Sequence, residues 1–279
     1  MGVVGEIEEK LAQLRSKESG DSAPVLRTST MTHLVWAPPA WLPQARATLA
    51  GLHDSHPART IFLVPEPRRT RSITATTSLH AVQVDGEREA HAEVIEIRLC
   101  GDAVAHPASI VLPLLISDLP VFCRWRGEPE WESSQLAELV GVVDRLVVNS
   151  EEWRALPGAY RSVATLFGHT AVSDIAYSAS VAWRSRLAER WPGIARAERI
   201  RVEGPKAQAL LIAGWLRSRL RRKIALSHRS AELVRSIHVD GDAIEPPLGE
   251  PPSGSDLLSA ELDMFGRDPV YEAAVRAAG

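Results

Sequence analysis

A chain of 279 residues, 45% of them apolar and 24% charged, is long enough for one large or two modest domains and can bury a substantial core. A formal net charge of -3 and a pI near 6.3 give no overall pull toward nucleic acid or an anionic membrane surface, so neither is an expected partner. No run approaches the roughly 18 apolar residues that a membrane span needs, and the N-terminus opens on acidic MGVVGEIEEK, so the expected setting is soluble and cytoplasmic.

In chain order, GEIEEKLAQLRSK (5–17) predicts a short helix, and SGDSAP after it a flexible linker. MTHLVWA (31–37) has strand character, 39–56 helical character, and RTIFLVP (59–65) is a second strand ended by prolines. HAVQV (80–84) and EVIEIRLC (93–100) predict an antiparallel pair joined through charged DGEREAHA. A helix is expected over AVAHPASIVLPLLIS (103–117), a strand over VFCRWR (121–126), a helix around SSQLAELVGVV and a strand over DRLVVNS (144–150). Strands alternating with helices imply a mainly parallel, helix-covered sheet.

Beyond residue 150 helical periodicity runs over 173–191, RIRVEG (199–204) reads as a strand, and 205–222 is a helix whose first turn suits Pro205. Strands IALSHR and LVRSIHVDG follow, then a Pro-rich loop and a closing helix from Asp256 to a stop at Gly266. The expected fold class is α/β: an N-terminal mainly parallel helix-covered sheet plus a smaller C-terminal α/β part. The domains expected are a flexible segment (1–24), an N-terminal α/β domain (25–150) and a C-terminal α/β domain (151–279).

Signatures for dinucleotide, P-loop, nucleophile-elbow and zincin chemistry are absent from the sequence. His53 and His56 stand three apart near an expected helix end and read as a solvated helix terminus, so no metal is expected there. Glu128, Glu130 and Glu132 read as a solvated turn, and Glu151 and Glu152 as charge complementing a helix start. Asn149 and Ser150 follow a strand end, where open α/β sheets place ligands, but both residue types are also ordinary helix caps. Arg217, Arg219, Arg221, Arg222 and Lys223 read as cations at a helix C-terminus.

Tryptophan is over-used: eight, against four Phe and three Tyr, several of them beside arginine. Trp and Arg together are the residues of interface hot spots. Candidate partner-binding residues are therefore Trp125, Arg126 and Trp131 around the RGEPEW loop, Asn149 and Ser150 at the next strand end, and Trp183 with Arg184 on a helix. The alternative from the same residues is a carbohydrate- or sugar-phosphate-binding protein or enzyme that uses exposed Trp rings as sugar platforms.

The blocks MTHLVWAPPAWLPQA, HPARTIFLVPEP, VLPLLISDLPVFCRWRGEP, DRLVVNSEEW, ALLIAGWLRSRL and ELDMFGRDPVYEAAV, in that order from about Thr28, resemble successive segments of the OpcA family, the glucose-6-phosphate dehydrogenase assembly proteins. The resemblance implies a non-catalytic subunit, without cofactor, that binds glucose-6-phosphate dehydrogenase and promotes its active oligomer in the oxidative pentose phosphate pathway. The family pattern has a Trp and an Arg in the segment matching DIAYSASVAWR, where this chain has Tyr177 and Ala179 and keeps only Trp183-Arg184. Thiol control is associated with some members; here Cys100 and Cys123 lie in apolar runs, and no redox switch is expected of them.

Overall fold

The computed structural model describes residues 2–18, 29–50, 52, 56–85 and 88–279, with side chains described outside 81–91. The expected linker and His53 lie outside the described residues. The chain divides into two units, Met1–Val147 with Gly254–Phe265, and Val148–Ser253 with Gly266–Gly279.

The first unit opens with α1 (Val3–Glu18), followed by β1 (Met31–Trp36), α2 (Leu42–Ala50), β2 (Ala58–Glu66), β3 (Ser72–Asp85) and β4 (Arg88–Cys100). Then come α3 (Ala108–Val111), β5 (Val121–Trp125), α4 (Ser134–Val140) and β6 (Arg145–Val148). The sheet order within this unit is β3-β4-β2-β1-β5-β6. β4, β2, β1, β5 and β6 pair in parallel, and β3 closes the edge antiparallel to β4. β1, β2 and β5 are buried along almost their whole length, as parallel strands covered on both faces must be. On one face α2 packs Leu42, Ala45 and Leu49 against Val35, Phe62 and Val64.

Two expected elements of the first unit come out differently. The helix expected over 103–117 is broken into 3-10 turns at Gly101–Ala105 and Leu112–Leu114 around the four-residue α3. Pro107 and Pro113 lack the N–H that a continuous helix would need at those positions. β3 begins eight residues before the expected HAVQV strand, because Ser72–Ser78 pairs with β4 from Ser72↔Cys100 onward. Its Ile73, Ala75, Thr77 and Leu79 are half-buried while the residues between them are exposed, so a largely Ser/Thr segment makes an edge strand.

The second unit holds α5 (Ala159–Leu166), β7 (Ala171–Asp174), α6 (Ile175–Ala179), α7 (Val181–Ala188), β8 (Arg199–Gly204), α8 (Lys206–Leu220), β9 (Ala225–Ser230), β10 (Ser236–Val239) and β11 (Asp242–Ala243). α9 (Gly254–Leu262) belongs to the first unit, where Ser255 Oγ donates to the Thr48 carbonyl of α2 at 3.1 Å, and α10 (Pro269–Ala278) belongs to the second. The helix expected over 173–191 is therefore a strand and two short helices. Asp174 caps α6, and the Ser180 hydroxyl donates back to the Tyr177 carbonyl at 2.7 Å where the two helices separate. The small sheet runs β11-β10-β8-β9, with α8 over one face. α10 was not expected, although Asp268-Pro269 is a start signal: the Asp268 carboxylate accepts from the N–H groups of Val270 and Tyr271 at 2.8 and 3.0 Å. Among the described residues no helix is long and apolar enough to cross a membrane.

α8 and α10 touch at Gly214. A Cβ there would lie 2.2 Å from the Ala274 carbonyl oxygen and 2.9 Å from the Ala278 methyl. In an open helix Gly→Ala stabilises by up to about 1 kcal/mol. At this contact the sign reverses: Gly214→Ala is expected to cost about 2 kcal/mol through overpacking, lowering the thermal midpoint by roughly 4–8 °C. A midpoint that rises would show that the two helices are not in contact there.

Candidate partner-binding surface

The strand order of the first unit turns at β1, whose neighbours are β2 on one side and β5 on the other. In open α/β sheets the crevice at the carboxyl ends of such neighbouring strands is where ligands sit. Here it is filled by the chain itself. Trp36 and Trp125 are register partners at the ends of β1 and β5, and their rings stack at 4.7 Å with 16° between the planes. Both are 3% exposed.

Alternation along β5 puts Arg124 and Arg126 on the opposite face, where they line a void of about 10 Å³ with His33 and Val35 under α2, room for one water at most. Both arginines are buried. Arg124 donates to the Trp125 carbonyl, and Arg126 reaches Gln44 of α2 while lying 4.9 Å from the centre of the Trp41 ring. The Arg126 N–H donates to the Trp36 carbonyl at 2.9 Å, extending the β1–β5 pairing by one residue. Gly127 then turns the chain with φ +78, and a Cβ on it would lie 3.0 Å from Trp41 Nε1. That turn delivers the loop bearing Trp131, which is half-buried.

In the second unit the side-chain oxygen of Asn149 accepts the Glu151 N–H at 3.1 Å, a capping bond at the start of a 3-10 turn. Ser150 is fully buried: its N–H donates to Asp174 Oδ1 at 3.0 Å, and its hydroxyl is 3.1 Å from the Tyr160 hydroxyl. Asp174 Oδ1 also accepts the Ala176 N–H at 2.9 Å, while Oδ2 is buried without a hydrogen-bond partner. Burial pushes the Asp174 carboxyl up to about 7. Trp183 is buried in the core between α7, α8 and the small sheet, and Arg184 lies 3.5 Å over the Tyr177 ring while donating to the Tyr177 carbonyl. Of the seven candidate residues, then, Trp125, Arg126, Ser150 and Trp183 lie under the surface, and Trp131, Asn149 and Arg184 are partly exposed. Trp36, Trp41 and Gln44, which complete the first cluster, were not singled out; the Trp36↔Trp125 register is the signal that joins them. Trp191 is the tryptophan that faces solvent, at 65% exposure. Among the described residues no group of three His, Cys, Asp or Glu side chains could hold a metal ion.

Cys123 is fully buried and its thiol is pushed up to about 12 by desolvation. Cys100 is buried as well, its thiol 3.9 Å from a Glu66 carboxylate oxygen.

The fold and this filled crevice define a mixed α/β protein that presents a tryptophan- and arginine-backed rim where related architectures hold a ligand. Residues 50–165 match a family model described as the glucose-6-phosphate dehydrogenase subunit N-terminal domain. Over 178 residues the chain is 25% identical to a proposed OxPP cycle protein, OpcA, from Synechocystis sp.. That stretch is 60% of this chain and 38% of the relative, so the match spans well under half of the relative's length. Both matches are to OpcA-type proteins, and they are what this part of the chain is similar to.

Asp174 makes stability depend on pH. Its folded pKa of about 7 stands above the usual carboxylate value of 3.8, so the folded state holds a proton that the unfolded state releases. The contribution is intact below about pH 4 and is lost as pH rises through 7, at up to about 1.4 kcal/mol per pH unit. Asp174→Asn, which mimics the neutral acid, is expected to flatten the fall in melting temperature between pH 5 and pH 8; an unchanged slope in the variant would assign the pH dependence elsewhere.

Proposed function

We propose that this chain is a non-catalytic subunit that binds glucose-6-phosphate dehydrogenase and promotes its active oligomer, in the oxidative pentose phosphate pathway. The observation that carries the reading is the family match over residues 50–165, a stretch that includes β5 with Trp125 and the Arg126–Ser133 loop. The geometry supports it in a second way. The polar groups that follow the strand ends are spent on the fold, Asn149 as a cap and Ser150 in a buried hydrogen-bonded cluster, while Trp131 stands on a turn fixed from behind by Gly127 and Trp41. A half-buried tryptophan on a loop that leaves a fixed turn suits an interface anchor, since less backbone freedom is left to lose on docking.

The purified chain is expected to co-elute with the dehydrogenase and raise its activity. Trp131→Ala should weaken binding about thirtyfold, the effect of removing about 2 kcal/mol, with the melting temperature nearly unchanged. Arg126→Ala, by contrast, removes a buried side chain and should lower the melting temperature as well. Normal binding by a Trp131→Ala protein that melts much earlier would assign this tryptophan to the fold alone. Sugar-dependent thermal shifts with no effect on the dehydrogenase would replace the assembly reading by the carbohydrate one.

A further inference from the structure

Among the described residues, the small sheet of the second unit is covered on one face only. Ile200, Val202, Ile237 and Val239 point into the core with α8. Alternation therefore turns Arg199, Arg201 and His238 to the opposite face, where both arginines are exposed. The register gathers them: Arg201 lies across from His238 of β10 and beside Ser227 of β9, with Arg199 two residues earlier on the same strand. Adjacent strands are about 4.8 Å apart and successive same-face residues about 6.6–7 Å, so these four side chains surround one spot. They line a concavity of about 390 Å³ with Asp240 at its edge.

The charges there are not balanced. Glu203, the next same-face residue of β8, is 3.9 Å from Arg229. The Asp240 carboxylate accepts the N–H groups of Glu198 and Arg199, at 3.2 and 2.8 Å. Among the described residues the guanidinium groups of Arg199 and Arg201 have no hydrogen-bond or ion-pair partner, and His238 Nδ1 is buried without a hydrogen-bond partner. Neither guanidinium is used to hold the fold. Two free guanidinium forks, a hydroxyl and an imidazole nitrogen converging on one spot match a tetrahedral oxyanion, which presents three oxygens to planar donors. The volume is that of a small-molecule site, not of a track for an extended chain.

We propose that this open face binds a small phosphate-bearing ligand, with Arg199 and Arg201 clamping the phosphate and Ser227 and His238 completing its hydrogen bonds. The inference does not depend on dehydrogenase binding, and its test leaves the dehydrogenase out. Inorganic phosphate is titrated into the full chain in phosphate-free buffer at low ionic strength, read by calorimetry and thermal shift. Saturable one-site binding is expected. Arg201→Ala should weaken it at least about tenfold, the loss of one charged hydrogen-bonding contact, and Arg201→Lys should restore part of it. Arg219→Ala, an exposed cation on α8, should leave it unchanged. The melting temperatures of the ligand-free variants should match that of the parent chain, because these arginines hold nothing in the fold. Absence of saturable binding at tens of millimolar phosphate overturns the proposal, as does equal weakening by Arg201→Ala and Arg219→Ala, which would mean diffuse charge attraction. Binding of polyglutamate without binding of phosphate also overturns it, and gives the face to an acidic protein segment.

Discussion

Two indole rings stacked at 4.7 Å decide what the first unit can do. Trp36 and Trp125 occupy the point where an open α/β sheet ordinarily leaves room for a ligand, and they do so from positions that pair across β1 and β5. An aromatic pair of this kind contributes about 0.5–1.5 kcal/mol beyond the area it buries. The larger consequence is geometric. With the crevice closed, the chain leaving β5 is held by the Arg126 N–H on the Trp36 carbonyl and by the Arg126 side chain across Trp41. It then turns outward at Gly127 and presents a loop instead of a cleft. Arg-Trp-Arg at the end of a buried strand thus has two structural duties: the tryptophan plugs one face, and Arg126 fastens the other to Gln44 of α2 while Arg124 bonds back to the Trp125 carbonyl.

Buried charge is the second constraint. Arg59 on β2 and Glu93 on β4 are register partners with almost no exposure, joined at 2.7 Å. Arg59 also donates to the Leu114 carbonyl at 2.7 Å and reaches Glu8 of α1 at 3.0 Å, while Glu93 accepts from Arg15 at 2.7 Å. Removing one partner of such a set leaves a desolvated charge uncompensated, which costs far more than the intact set contributes. The arrangement therefore fixes the β2–β4 register and ties α1, whose Ile7 and Leu11 are buried, to the sheet. The second unit solves the same problem differently. Asp174 is fully buried with hydrogen bonds to one oxygen only, and it meets the cost of burial by keeping its proton to a higher pH.

Much of this was legible in the sequence where one physical signal dominated. The apolar runs of β1, β2 and β5 and the long α8 announced themselves, because strands buried on both faces and a helix packed against a sheet must be apolar. Elements decided by a few hydrogen bonds were not. β3 is polar and earns its place by pairing with β4, and the split between α6 and α7 depends on one serine hydroxyl. The candidate residues show the same limit. Composition pointed to tryptophan and arginine, but only the register separates Trp125 in the core from Trp131 at the rim. Alternation along β5 puts Arg124 and Arg126 opposite Trp125, but that they are buried under α2 follows only from what covers that face.

The central claim is that the loop leaving β5 is the docking rim, and hydrogen–deuterium exchange of the chain with and without glucose-6-phosphate dehydrogenase tests it most directly. The account predicts that amides from Arg126 to Ser133 exchange more slowly in the presence of the dehydrogenase, while β1 and β5, already protected, change little. Protection confined to other segments, with 126–133 exchanging as in the free chain, would contradict it.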